Sequence, residues 1–313
     1  MMRSMYSAVS GLKAHQTRMD VIGNNIANVN TFGYKSMSYS FKEAMYQTAT
    51  ASTGGGATAG GVNPAQYGYG TLMGSISTDM SGSVPTYVGG LNASIDGEGF
   101  FITYPTNDKD IDPKDIKGTD FSYTRVGQFA VDGNGYLVDA GGNFVYGFRP
   151  DDVEKPTAFD GDLVPIKAPS SDTGSDFDGD ALQLSGIKIN SLGEITGTIL
   201  APGEAYDGKT VSLGKVAIAT FQNPQGLSKK GGYYYGASTG DNSGAVSATI
   251  PGGSAAELMT GYLEGSNVDL AKEFADMITT QRGFQANSKI ITVSDETVSY
   301  THLRAHETKA NLV

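Results

Sequence analysis

Three groups of residues in this chain have types and spacings that could do chemistry. Gly203-Glu204-Ala205-Tyr206-Asp207-Gly208-Lys209-Thr210 fits the phosphate-loop pattern, in which backbone amides cradle phosphates at the start of a helix. The next residues, Val211 to Phe221, are β-branched, alternating and broken by Gly214, so they read as a strand. Pro202, Glu204 and Asp207 also suit an anion poorly, and a hairpin turn is the better reading. Asp176, Asp178 and Asp180 alternate like the start of a calcium loop. Ala181 and Ile187 stand where that loop needs Gly and Glu, which leaves a solvated acidic loop. His302 and His306 lie four apart beside Glu307, but two ligands do not make a metal site. The third histidine, His15, has no nucleophile–acid set near it in the sequence. The residues therefore predict no catalytic, cofactor or metal site, and no enzyme.

The composition narrows the classes further. The chain has 313 residues, length for about two domains, and carries a net charge of −11. That acidity argues against nucleic-acid binding, which needs clustered Lys and Arg. Zero Cys removes disulfides, thiolate metal sites and cysteine nucleophiles. Nothing approaches the run of about 18 apolar residues that a membrane helix needs, so no membrane insertion is expected. The apolar residues after Arg3 are spaced rather than continuous, which predicts no cleaved signal peptide.

The elements that would position any function fall into ends and middle. Met5, Leu12, Met19 and Ile26 recur every seven residues, with Ala8, His15, Ile22 and Val29 three further on. Leu270, Met277, Phe284, Ile291 and Val298 repeat the pattern at the other end, after capping candidates Asn267 and Asp269. Gln16, Gly23, Gln281 and Ser288 make both seams weak for an isolated pair, and they suit helices completed by neighbouring chains. Gly283 inside the second helix costs about 1 kcal/mol against Ala, and close packing is a reason for it. Between the ends, period two with Gly and Asn-Gly punctuation predicts β structure. Residues 93–104 read as strand–turn–strand, 121–138 as two strands about Asp132–Gly135, 186–200 as a hairpin, and 211–221 as one strand. Residues 48–63 are a low-complexity Gly/Ala/Ser/Thr run that reads as a flexible or extended linker.

Residues 5–35, with Asn24, Asn25 and Asn28 followed by Thr31-Phe32-Gly33-Tyr34-Lys35, resemble the N-terminal signature of bacterial flagellar rod and hook proteins. Gly265 to Leu270, with Asn267, and Gln281-Arg282-Gly283-Phe284-Gln285-Ala286-Asn287-Ser288 resemble the C-terminal partner. Gly61–Gln66, Asp96–Phe101, Tyr123–Arg125, Asp132–Val138 and Phe221–Leu227 resemble segments between them. From about residue 297 the chain departs from the family's apolar helix end and reads as non-native.

The resemblance implies a mixed, mainly β protein. A sandwich- or barrel-like body carries long α-helices at both termini, which form a coiled-coil core. The expected parts are a helical coiled-coil domain of 1–30 plus 265–313, a Gly-rich extended connecting segment over 31–70, and a β-rich body over 71–264 with a variable loop or small insertion at 150–185. Assembly residues would be Met5, Leu12, Met19, Ile26, Leu270, Met277, Phe284 and Ile291. The implied function is a structural subunit of the flagellar hook, a flexible helical homopolymer transmitting torque as a universal joint. The distal rod is the alternative within the family, and an extracellular β-rich adhesive module is the alternative outside it. Implied partners are further copies of the chain, other axial proteins (rod, hook cap, hook–filament junction) and the flagellar export apparatus. The implied place is the extracellular hook or basal body.

Overall fold

A computed structural model describes residues 2–56, 60–106, 116, 120–153, 156, 158–159, 161–170, 181–201, 207–253 and 255–310, with backbone alone for Met2 and 303–310. The acidic loop of Asp176, Asp178 and Asp180, residues 202–206 of the phosphate-loop match, and the His306 side chain lie outside the described residues. The chain divides into two compact units. One holds residues 1–29, 36–79 and 268–313; the other holds 30–35 and 80–267.

The first unit contains both helices, α1 (Met2–Ala27) and α2 (Leu270–Ala310). Asp269 caps α2: its Oδ1 accepts from the amides of Ala271 at 2.9 Å and Lys272 at 3.3 Å, two donors that would otherwise face the helix start unpaired. The same unit contains β1 (Met37–Glu43), β2 (Tyr46–Thr50), β3 (Ala65–Gly68) and β4 (Thr71–Thr78). β1 pairs antiparallel with β4 and β2 with β3, and the backbone bonds Ala44 N to Gly70 O and Tyr69 N to Met45 O join the two pairs. Residues 37–53 and 62–78 are thus one long two-stranded ribbon, with a further bridge from Thr53 to Val62 at its outer end. Where the sequence reads as an extended connecting segment over 31–70, most of the chain is extended but paired with itself. The Gly run sits toward the ribbon's far end, where side-chain bulk contributes nothing to a core. A lone two-stranded ribbon is marginal in water, and the base of this one rests on α1. Asn25 holds Met37 by both backbone groups at 2.8 and 2.9 Å, and the Thr71 amide donates to Ser10 Oγ at 3.3 Å.

The second unit is mainly β: a two-stranded pair of Pro85–Tyr87 with Tyr262–Glu264 and, separate from it, a branching, curled antiparallel sheet of 15 strands. Its centre is the strand Phe100–Tyr104, which pairs with Ser122–Thr124, Phe144–Phe148 and Ile218–Phe221. Successive strand side chains point to opposite faces. Phe101, Val145 and Ile218 enter one apolar cluster with Leu137, Ile195 and Leu213. Phe100, Ile102, Tyr146 and Phe221 enter another with Tyr123, Phe121 and Tyr235. A sheet buried on both faces explains why Gly99-Phe100-Phe101-Ile102 reads as a continuous apolar run instead of an alternation.

The hairpins expected within 121–138 and 186–200 form, as Gly127–Val131 with Leu137–Asp139 and Leu184–Ile189 with Glu194–Ile199, though the first stretch holds three strands instead of two, Ser122–Thr124 pairing elsewhere. Two further readings need correction. Asn92–Ile95 and Phe100–Tyr104 are strands, yet they do not pair with each other: Gly97 (φ +144°) and Gly99 (φ +137°) send the second strand to other partners. The single strand expected at 211–221 is two, Thr210–Val216 and Ile218–Phe221. It breaks at Ala217, where the pairing changes from Glu194–Ile199 to Phe100–Tyr104. Thr210 opens a strand, not a helix, as the hairpin reading of the phosphate-loop match requires.

Phe101 is fully buried and lies edge-on to Phe129 with centroids 5.1 Å apart. Phe101→Ala is expected to cost about 3–5 kcal/mol, measured as a lower midpoint in urea unfolding followed by near-ultraviolet circular dichroism; a loss below about 1 kcal/mol would mean that the face of the sheet bearing Phe101 is not packed.

Candidate functional site

Nothing among the described residues gathers three or more His, Asp or Glu side chains as a metal would need. The arrangements that stand out are structural. One is the seam between the two helices; the other is a buried charge cluster in the β unit.

The helices run antiparallel. Asn25 Nδ2 donates to Glu273 Oε1 at 3.0 Å, Arg18 pairs with Asp276 at 2.8 Å, Gly283 lies against His15, and Gly11 lies against Asn287. The contact line is small and polar. A Cβ on Gly283 would stand 2.5 Å from the His15 ring, and one on Gly11 would stand 2.9 Å from the Asn287 amide. Gly283 is therefore kept at its helix-propensity cost because it lets an imidazole lie against the backbone. Ala8, Gly11, Ala14, Val21, Ile22 and Asn25 are buried on α1, and Thr280 and Ser294 on α2. Met5, Leu12, Met19 and Ile26 are half-buried, as are Met277, Phe284 and Ile291; Leu270 is exposed. The apolar heptad line thus flanks the contact line within one chain. Gln281 and Arg282 are exposed, as are Asn24 and Thr31; Asn28 donates to Asn24 O at 2.9 Å.

Burial and the neighbouring Arg18 charge both hold the His15 imidazole below its ordinary value of 6.5. Phe41 faces it at 5.2 Å from β1. Glu273, further along the seam, is shifted up, mainly by burial.

The second arrangement centres on Glu264, which is 2% exposed, with Arg125 3% and Lys35 0% exposed. Lys35 Nζ donates to Glu264 Oε1 at 2.8 Å and to Ser81 O at 2.6 Å. Arg125 Nε lies 2.9 Å from Glu264 Oε2, and its Nη1 donates to Gly97 O and Gly99 O at 2.8 and 2.7 Å. The Gly33 amide donates to the Glu264 carbonyl at 2.8 Å, and the Ser83 amide to its carboxylate at 3.3 Å. Gly33 has φ +66°, and a Cβ there would stand 2.7 Å from Val126 Cγ2, so only glycine fits both the turn and the space. The amide of Asn267 donates to Tyr34 O at 3.4 Å, and the Lys229 ammonium sits 4.5 Å over the Tyr34 ring. The segments 30–35 and 264–267 are thereby held side by side in the β unit.

Of the expected signature residues, Gly33, Tyr34 and Asn267 meet at this cluster, and Asn25 meets Glu273 and Met37 in the helical unit. Sequence reasoning quoted Lys35 and Arg125 only within motifs and did not single out Glu264. The signal was present: one acid in Tyr-Leu-Glu-Gly and two bases in Gly-Tyr-Lys and Tyr-Thr-Arg, each isolated among apolar and small residues.

Comparison with known proteins fits this pairing of distant segments. Residues 5–35 match the family model "Flagella basal body rod protein", and residues 259–301 match "Flagellar basal body rod FlgEFG protein C-terminal". Lys35 falls in the first match and Glu264 in the second. The flagellar basal-body rod protein FlgG of Bacillus subtilis is 41% identical over 299 residues, 95% of this chain and 96% of the relative. The chain belongs to the flagellar rod and hook protein family. The flagellar hook protein FlgE of Borreliella burgdorferi is 27% identical over 446 aligned positions, 95% of this chain and 98% of the relative. The hook protein FlgE of Treponema pallidum is 41% identical over 155 residues, 49% of this chain and 31% of the relative. This rod and hook family is one of structural proteins of the flagellum. Its members polymerise in the basal body with other flagellar components, which places the chain in the flagellum.

The geometry sets two expected outcomes. Removing the Glu264 carboxylate strands two buried cations, so Glu264→Ala should cost about 3–5 kcal/mol in urea unfolding, with Glu264→Asp recovering part of it; a neutral Glu264→Ala would mean water reaches the cluster. For His15, the unfolded chain binds its proton more readily than the folded one. Stability is therefore full above the ordinary value of 6.5 and falls as pH drops through that value toward the lowered folded one. The raised Glu273 acts in the opposite direction, and around the carboxylate range. Thermal midpoints read at pH 7.5 and 5.5 should fall for the parent chain and fall less for His15→Gln; equal drops would remove His15 as the cause.

Proposed function

We propose that this chain is a rod-type axial subunit of the flagellum, which self-assembles into a stiff helical tube that carries torque. The observation that carries this reading is the match in size. The rod protein of Bacillus subtilis aligns over nearly the whole of both chains in 299 residues, whereas the Borreliella hook protein requires 446 aligned positions. The ribbon supports it too. A universal joint needs slack, and residues 37–53 and 62–78 are tied to each other by two strand pairs and a further bridge. The hook remains the second reading, favoured by the 41% identity to the Treponema hook protein.

In the assembled tube, α1 and α2 form a coiled-coil core with their neighbours' helices. Met5, Leu12, Met19 and Ile26, with Leu270, Met277, Phe284 and Ile291, turn half-buried or exposed apolar surface toward those neighbours. Small polar contacts hold the pair within a chain, and bulkier apolar contacts join chains. Further partners are the other axial proteins and the flagellar export apparatus.

Purified chain at high concentration should form tubes visible by negative-stain electron microscopy. Straight tubes support the rod reading, and uniformly curved tubes move it to the hook. A folded monomer that never polymerises, either as it stands or with residues 297–313 replaced by an apolar helix end, would sink both.

A further inference from the structure

Beside the helix seam, α1 and the ribbon leave an open groove. Tyr6, Val9, Ser10, Lys13, Ala14 and Thr17 line it from α1, and Tyr39, Thr71, Leu72 and Met73 from β1 and β4, around a volume of about 340 Å³. Its floor is apolar and uncovered: Leu72 is 54% and Met73 58% exposed. Its charged member is Lys13, and among the described residues no carboxylate pairs with it. Apolar surface of this kind, rimmed by polar groups, marks a contact with another molecule.

The same chain carries a face of matching chemistry. Asn25 opposite Glu273 and Gly11 opposite Asn287 set a register that brings Met2 level with Glu296, so α2 outruns α1. At 26 and 41 residues the helices are about 39 Å and about 61 Å long. Along α2, Glu273, Thr280, Asn287 and Ser294 form the line turned to α1, while Ile290, Val293, Glu296 and Tyr300 share a different side at helical spacing. All four of the latter are exposed, and Ile290 and Val293 are 44% and 46% so. Among the described residues no cation pairs with Glu296. An apolar line ending in such a carboxylate is the complement of an apolar groove bearing an unpaired ammonium.

We propose that the groove between α1 and the ribbon receives α2 of a second copy of this chain, with Ile290 and Val293 on Leu72, Met73 and Val9, and Glu296 beside Lys13. This rests on the homopolymer reading above and names the contact that makes it directional. One surface is a groove and the other a helix face, so the contact is heterologous, the kind that builds an open helix whenever its rotation does not close into a ring. It is a helix-in-groove contact in which i, i+3 side chains give grip and the ion pair gives register.

The absence of cysteine makes the test clean. Leu72→Cys and Val293→Cys chains are mixed, polymerised and oxidised; a disulfide-linked dimer is expected from the mixture and from neither alone. Lys13→Glu should raise the concentration needed for polymerisation about tenfold, and Lys13→Glu combined with Glu296→Lys should restore it. Far-ultraviolet circular dichroism confirms that each variant folds. Polymers that form without the cross-link, together with Lys13→Glu polymerising like the parent, overturn the groove contact and leave the axial reading standing. Failure to polymerise of the chain without these substitutions, both as it stands and with residues 297–313 replaced by an apolar helix end, overturns both.

Discussion

Glu264 holds together parts of the sequence that are far apart. Lys35 precedes the β body, Arg125 lies within it and Glu264 closes it, and their charges are all out of reach of water. A buried ion pair contributes little net stability against an apolar replacement, but it is exacting about geometry, because any member left alone is an uncompensated charge. That exactness is the useful property here. The carboxylate accepts from an ammonium, a guanidinium and the Ser83 amide, and its backbone carbonyl accepts from Gly33. The points where the chain enters and leaves the body cannot slide past one another without breaking several of these bonds. A clamp of this kind gives way only as a whole, whereas an apolar contact can slip by small steps.

The helical unit solves a different problem with different means. Within one chain, the two helices meet through Gly11, Gly283, Thr280 and Asn287, side chains that favour close approach over bulk. Apolar bulk is kept at the flanks, on Met5, Leu12, Met19 and Phe284 and on the exposed Phe274 and Ile278. A chain that satisfied all its apolar surface internally would have nothing left with which to polymerise. Exposed apolar surface costs the monomer about 25 cal/mol per Å², and association recovers it.

Much of this was legible in the sequence, for identifiable reasons. Both helices, the Asp269 cap, the hairpins about Asp132–Gly135 and Ser191–Gly193, and the packing role of Gly283 follow from local rules that the final structure does not override. The contact line between the helices was not legible, because hydrophobic periodicity sees Met and Leu and passes over Gly, Thr and Asn. Strand partners were harder than strands: Asn92–Ile95 and Phe100–Tyr104 are adjacent in sequence yet pair elsewhere. The charge cluster left only the faint signal of lone charges among apolar neighbours, since nothing local reveals that residues 229 positions apart will meet.

Arg18 and Asp276 are 258 residues apart, and Asn25 and Glu273 are 248. Neither helix can find its partner until nearly the whole chain is present, and closing so long a loop is slow. The β body, by contrast, contains hairpins whose partners are near neighbours and can form early. The chain therefore carries its own clock. A chain made from one end, as every protein is, keeps α1 unmated until almost all of it has been made, and the paired face of the two helices is completed last.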